Sequence, residues 1–405
     1  MLKLRSAIVV EADHPAGPNA PANGSATSAG PEQRLVIELS AGEQQRQRRA
    51  AIADVALVGR AQAGDEVIVN TQALDLGLGS GGFDVVHVNL TRGLDGQGLS
   101  GANVIKLNYT SLQHAVAPVE DGQLALPVER PVAVLALHGQ LAAVAWAFSQ
   151  SAPQLRLGYV QTEGGALPGG HSQTVRALRQ QGLLAGHLTA GAAFGGEGEA
   201  ITTVGALHHG LRALEWDAAV CGPGPGIVGS SSTLGHGGMV ALDSAHVSLA
   251  LGCPTLLVAR MSSGDERERH RGISHHTLTV LDLLLAPVTV ALPAGMRSPV
   301  GTDLRAGLGA VFGGASRIKQ ADNRPALALD VERPARITRH DWRRATVDLP
   351  AYARSGLPAE TMGRKLAQDP LFFGAALAGG AALAELAGAP AAGHAELEEK
   401  LSERG

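Results

Sequence analysis

Between residues 132 and 292 the chain repeats one pattern: a short run that is apolar on both faces, a glycine-bearing loop, then a segment with helical spacing. The runs are 132–137, 155–161, 187–190, 218–221, 255–259 and 288–292. A strand apolar at consecutive positions has to be covered on both sides. Strands of that kind alternating with helices require crossover connections and a parallel sheet. The intervening spacing predicts helices up to residue 150 and over 172–181, 199–214, 239–251 and 277–285. Residues 125–295 therefore read as a doubly wound, mostly parallel-sheet, Rossmann-like α/β domain.

The first third is different. Segments 4–10, 34–39, 54–58, 66–69, 84–88 and 104–107 read as short strands separated by glycine turns. In 34–39, Leu35, Ile37 and Leu39 fall on one face. Such spacing predicts a small β-barrel or sandwich over 1–120. Residues 13–31, rich in Ala, Pro, Gly, Ser and Asn, read as a disordered loop joining the first two strands. Residues 296–405 read as a mixed extension. Within it, 317–334 and 335–349 return to β structure, 360–386 forms an Ala-rich helix, and 396–405 is a charged, frayed helix end. The small residues of 371–386 offer a face for close helix packing and hence for a homo-oligomer.

Composition removes several function classes. A 45% hydrophobic content and a net charge of -4 exclude a mostly disordered chain. Two cysteines in 405 residues exclude a disulfide scaffold and suit a reducing compartment. A pI near 6.4 and 3% aromatics argue against a nucleic-acid partner. The longest apolar stretch, 371–384, is shorter than the roughly 20 residues a bilayer requires. The N-terminus alternates and lacks a signal peptide's apolar run. The expectation is a cytoplasmic protein with no membrane partner.

In an open parallel sheet, ligands bind outside the carboxyl ends of the strands. Five loops qualify, and six of the chain's 15 histidines fall in them: His138, His171, His236, His270, His275 and His276. The loop after Cys221 reads GPGPGIVGSSSTLGHGG. Its amides from Gly226 onward, with Gly229 and the hydroxyls of Ser230, Ser231 and Ser232, suit an anion cradle. Gly224, Gly226 and Gly229 satisfy G-x-G-x-x-G, but no helix opens directly after them, against a dinucleotide site. No Gly-Lys-Ser/Thr is present, so a P-loop is rejected.

The loop after Ala259 reads RMSSGDERERHRGISHHT. Arg260, Arg267, Arg269 and Arg271 favour phosphate or carboxylate. The bland reading is a solvated basic loop balanced by Asp265, Glu266 and Glu268. Ser274 is placed to cap the next helix, which puts His275 and His276 in its first turn. His270, His275 and His276 are also the candidates for a metal, although no H-E-x-x-H or C-x-x-C spacing supports one. The loop after residue 161 carries Glu163 at a strand end, beside Gly164 and Gly165. Ser172 approaches a nucleophile elbow, but residue 174 is Thr where the motif needs Gly, and a helix cap fits it better. Cys221 reads as a core thiol.

Three segments carry a family resemblance: GYVQTEGGALPGGHS (158–172), CGPGPGIVGSSSTLGHGG (221–238) and RHRGISHHTL (269–278). Together with 64–86 and 361–373, they resemble an uncharacterised, mainly actinobacterial family known as domain of unknown function 3866. The resemblance spans 50–375. It implies one functional unit and supplies no reaction, cofactor or catalytic residue.

The sequence thus points to an α/β enzyme acting on a small anionic metabolite by group transfer or hydrolysis. Glu163, His275 and His276 are its acid–base candidates. Gly164, Gly165, Gly226, Gly229, Ser230, Ser231, Ser232, His270 and Arg271 are its ligand-binding candidates. The cofactor is left open. The alternative is a small-ligand sensor without turnover.

Overall fold

Alternation decides the first unit. Ala7 and Val9, then Leu35, Ile37 and Leu39, then Ala51 and Ala53, Val67 and Val69, and Val86 are all buried in one cluster. They come from β1 (Leu4–Ala12), β2 (Glu32–Leu39), β3 (Arg48–Asp54), β4 (Glu66–Asn70) and β5 (Asp84–Asn89). These strands close into a barrel in the order β1-β2-β3-β5-β4. Only β3 and β5 pair in parallel. That is the Greek-key order of OB-type barrels.

A barrel removes exposed strand edges, which a five-stranded open sheet leaves unpaired. Residues 54–58, expected as a strand, instead form the helical turn α1 (Val55–Val58). The Asp54 carboxylate accepts from the Ala56 and Leu57 amides and caps it. The strand lies just ahead of it, in RRAAIAD, whose Ala51 and Ala53 are small residues of the barrel core. A helical turn, α2 (Gln72–Asp75), and a short hairpin, β6 (Val104–Lys106) with β7 (His114–Val116), complete the unit.

The computed structural model describes residues 2–13, 31–40, 46–77, 81–94, 96, 98–120, 122–230, 232–294 and 333–388. Residues 14–30 of the expected loop 13–31, residues 317–332 of the expected β structure 317–334, the expected helix end over 396–405, and Ser231 lie outside these residues. Of the β structure expected over 335–349, only Asp341–Ala345 is a strand, and Arg333–Thr338 is helical. The chain separates into two compact units, Met1–Ala117 and Pro118–Gly405.

The second unit is built on an eight-stranded sheet in which every pair is parallel. Its strands are β8 (Val132–Val134), β9 (Leu157–Thr162), β10 (Gly186–Ala190), β11 (Gly198–Ala200), β12 (Ala218–Pro223), β13 (Thr255–Val258), β16 (Thr289–Pro293) and β17 (Asp341–Ala345). A two-residue hairpin, β14 (Met261–Ser262) with β15 (Gly272–Ile273), stands outside the sheet. The order is β11-β10-β9-β12-β8-β13-β16-β17.

Side chains alternate between the two faces. Ala133, Leu157, Tyr159 and Val220 join one buried cluster with α3 (Leu141–Ser151), α4 (Gln173–Gln180) and a long C-terminal helix, Pro370–Gly388. Val132, Val134, Val160 and Cys221 join the other, with α5 (Thr203–Arg212), α6 (Val240–Ala250) and α7 (His275–Leu283). Both faces are covered, as the apolar runs require.

Two strands carry no apolar run in the sequence. β11 and β17 are the sheet edges, and β17 (DWRRA) keeps most of its residues out of the core. The helix expected from residue 199 begins at 203, where the Thr202 hydroxyl accepts from the Gly205 amide. The expected helix over 360–386 is shorter at its start: Glu360–Thr361 and Arg364–Lys365 form a hairpin, and the helix begins at Pro370.

That helix, Pro370–Gly388, is long and apolar enough to cross a bilayer, and it alone is so among the described residues. Instead, 72% of its apolar 18-residue stretch is buried inside the protein. Its small residues are used there. A Cβ at Gly380 would lie 2.2 Å from the Val144 carbonyl oxygen of α3. Gly380 thus packs closely against α3 of the same chain.

Candidate functional site

The strand order sets the site. β8 lies between β12 and β13, so the segments that leave their carboxyl ends emerge side by side. This is where the connections change direction across the sheet, the preferred ligand position in such folds. After β8 comes His138. After β12 comes the glycine loop 222–238. After β13 comes the arginine–histidine segment 259–276.

The glycine loop folds back on itself. Gly229 and His236 form an antiparallel bridge, and the Ser230 amide donates to the Gly235 carbonyl at 2.6 Å. The Ser230 hydroxyl is engaged inside that turn, 2.9 Å from the Ser232 hydroxyl. Gly226 sits at φ +73, a conformation that favours glycine. At Gly229 a Cβ would lie 2.7 Å from the His236 ring, so the missing side chain is what admits the imidazole. His236 Nδ1 accepts from the Gly238 amide at 3.0 Å, which leaves Nε2 as the protonated nitrogen of the neutral ring.

In the segment after β13 the charge run 266–269 is exposed, as the solvated reading has it, but it is anchored on buried groups. Arg260, Asp265 and His270 are each no more than 2% exposed. The Asp265 carboxylate organises it. Arg267 grips both oxygens at 2.9 Å, and the Arg260 and Arg364 guanidiniums each approach to 3.6 Å. Burial alone would raise the Asp265 pKa, but the hydrogen bonds and charge of Arg267 hold it well below the usual carboxylate range. Burial lowers Arg260 to about 10, so it stays charged at neutral pH. As the sequence indicates, Ser274 caps α7, its hydroxyl accepting from the His276 amide. The same oxygen lies 2.9 Å from His270 Nδ1.

Four imidazoles meet here. The His236 and His276 rings stack with centroids 4.0 Å apart, joining the two loops. His275 and His276 are 3.9 Å apart, and His270 lies 5.0 Å from His275 and 5.3 Å from His276. Burial, then the neighbouring guanidiniums and imidazoles, push these rings toward neutrality. His236 and His275 fall to about 4, His270 to about 3 and His276 to about 2.

A cavity of about 470 Å³ opens over this cluster. Gly226, Gly229, Ser230 and His236 line it from the glycine loop, and Arg260, Arg267, Arg269, His270 and His276 from the segment after β13. His138 and the C-terminal hairpin residues Glu360, Thr361 and Met362 complete the wall. The volume suits a small metabolite. Three arginines line the cavity against a single carboxylate, Glu360; Asp265, buried outside the lining, pairs with Arg260 and Arg267.

The other sequence candidates lie elsewhere. Glu163 is exposed and lines a second hollow with Gly164, Met239, Leu242 and Leu283; His236 stands on the wall of both. Gly164 and Gly165 serve loop packing. A Cβ on either would meet a backbone oxygen of the glycine loop, Gly237 at 2.4 Å or Gly224 at 2.3 Å. His275 is half-buried and adjoins the cluster from behind the wall. Arg271 is exposed, and its Nε donates to the Asp265 carbonyl rather than facing the cavity.

Ser172 caps α4 and is 2.7 Å from His138 Nε2, with only 2% exposure. Cys221 is fully buried, and burial pushes its thiol up to about 12.

Sequence reasoning placed His236, Arg260, Arg267 and Arg269 in the right loops without choosing them. Thr361 and Met362 carried no chemical signal. Met362 reaches the site through tertiary folding, its sulfur 3.8 Å from both Arg260 and Arg267.

Compared with known proteins, the chain matches the family described as protein of unknown function, DUF3866, over residues 50–380. No curated protein matches it.

Proposed function

We propose, for a chain that belongs to the DUF3866 family and receives no reaction from it, an α/β enzyme that binds a small phosphate- or carboxylate-bearing molecule at the β12–β8–β13 edge. One observation carries this reading: Arg260, Arg267 and Arg269 share a cavity wall with the glycine loop and two buried imidazoles. Guanidiniums recognise oxyanions through paired hydrogen bonds. Backbone amides freed by glycine add uncharged donors. Group transfer or hydrolysis is the class of reaction such a wall serves, with His276 on the wall and His275 adjoining it as the acid–base candidates; Glu163, in the neighbouring hollow, is not among them. The two free, buried cysteines favour a cytoplasmic setting.

The test is calorimetric titration with inorganic phosphate. In Arg260→Met, Asp265 keeps Arg267 and Arg364, so the loop retains its centre. Affinity is expected to fall about 10- to 100-fold, the value of a charge-assisted contact. Unchanged affinity in both Arg260→Met and Arg269→Met refutes an anion site on this wall.

A sensor without turnover is the second reading, and the exposure of Glu163 in a separate hollow favours it. Hydrolysis of p-nitrophenyl phosphate separates the two. Turnover by the wild type that is lost in His275→Ala supports the enzyme, and phosphate binding without turnover by the wild type supports the sensor.

A further inference from the structure

We infer that His270, His275 and His276 form a three-histidine centre for a divalent first-row metal ion of the zinc class, bound together with the oxyanion. This rests on the anion reading above and assigns the imidazoles of that site. One nitrogen from each of the three rings lies within 4.8 Å of one from each of the others. Tetrahedral ligands held about 2 Å from a zinc ion stand about 3.3 Å from one another, so a contraction of up to about 1.5 Å closes the set.

Two of the three rings carry a nitrogen with no hydrogen-bond partner among the described residues, the buried His275 Nε2 and His276 Nδ1. A buried polar atom left without a partner is costly, and His276 is only 3% exposed. Stacking does not answer this, because it leaves the in-plane lone pair unused. A metal ion does.

The third ring is already oriented. His270 Nδ1 lies 2.9 Å from the Ser274 hydroxyl. With Nδ1 donating there, Nε2 presents its lone pair, the usual support for a ligating imidazole. His236, whose Nδ1 accepts from a backbone amide, is turned to donate from Nε2 and is a contact for the anion instead. Three imidazoles leave a fourth tetrahedral position for water or an oxyanion oxygen.

Charge decides how the ion enters. Arg260, Arg267 and Arg269 stand on the same wall, opposed by Glu360 and the deeper Asp265, and the rings lie at the amino end of α7. Three neutral ligands bring no compensating charge, so a bare dication is repelled. An oxyanion on the guanidiniums removes that repulsion. Metal and anion therefore strengthen each other by the same factor, as linkage requires.

The experiment uses the full chain, stripped with a chelator. Equilibrium dialysis with zinc, with and without inorganic phosphate, is read by elemental analysis, and cobalt(II) absorption reports the coordination. The expected result is one zinc per chain, bound more tightly with phosphate, and a tetrahedral cobalt spectrum. Affinity should fall about 100-fold in each of His270→Ala, His275→Ala and His276→Ala, and about 10-fold in Ser274→Ala. Exchange of the helical His208 and His209 for Ala should change nothing.

Should buried His276→Ala fail to fold, half-buried His275→Ala answers the same question. No stoichiometric zinc in the presence of phosphate overturns the centre, as does zinc retained in the His270→Ala/His275→Ala double variant. Phosphate binding to the stripped chain without any zinc binding leaves the anion reading standing and removes the metal. Zinc lost only with the named histidines, but indifferent to phosphate, keeps the metal and removes the anion.

Discussion

Acidification should unfold the α/β unit through its buried imidazoles before its carboxylates matter. His138 and His187 are 7% and 3% exposed. Burial lowers His138 to about 4 and His187 to about 3, with His138 itself adding to the effect on His187. Both are depressed below the ordinary value of 6.5. Between that value and the folded one, the unfolded chain binds protons that the folded chain does not. Stability is therefore complete above about pH 6.5 and is lost as pH falls toward the folded values.

At pH 5 both rings are still neutral in the folded protein. The cost is then set by protonation of the unfolded chain, about 2 kcal/mol for each ring relative to pH 7.5. The buried rings of the cavity add in the same direction. Chemical unfolding followed by tryptophan fluorescence is the assay. All three tryptophans, Trp146, Trp216 and Trp342, belong to this unit, and Trp216 is 1% exposed. In His187→Leu the loss between pH 7.5 and 5 should shrink by about 2 kcal/mol. The Nε2 of His187 has no partner, so the substitution abandons no hydrogen bond there. An unchanged pH slope in that variant would mean that His187 titrates in the native protein, and the burial argument would be wrong.

Other outcomes follow from packing. Trp216 lies where Cβ atoms at Gly158 and Gly210 would come within 1.8 Å and 2.4 Å of its ring. Trp216→Ala should cost about 3–5 kcal/mol of unfolding free energy, and Gly210→Ala should also lower the melting temperature, both measured by calorimetry. Cys221 and Cys253 are buried, and burial raises each thiol to about 12. Neither should react with a thiol reagent in the native protein, and both should react in denaturant, by mass spectrometry.

Much of the fold was legible because interior strands leave a local trace. The six apolar runs correspond to strands of the parallel sheet, and Leu35, Ile37 and Leu39 line the barrel as their alternation indicates. Ser172 and Ser274 cap their helices, because a cap depends only on residues within one turn. Edge strands leave no such trace. β11 and β17 are covered incompletely, so their sequences need not be apolar, and their place was decided by pairing with distant neighbours. The choice of a barrel over a sandwich was likewise settled by β4 closing on β1.

The chemistry divides along the same line. Which residues leave the carboxyl ends of the strands can be read locally, because strand and loop boundaries are local. Which of them share a wall depends on how distant strands are ordered. Strand order put β8 between β12 and β13, which brought His236 onto His276 and left Glu163 in a neighbouring hollow. It folded Met362 over Arg260 from a segment that carries no chemical signal of its own. It also turned Arg271 toward a backbone carbonyl. Side-chain direction and strand adjacency arise from contacts between residues far apart in the chain, and no local pattern records them.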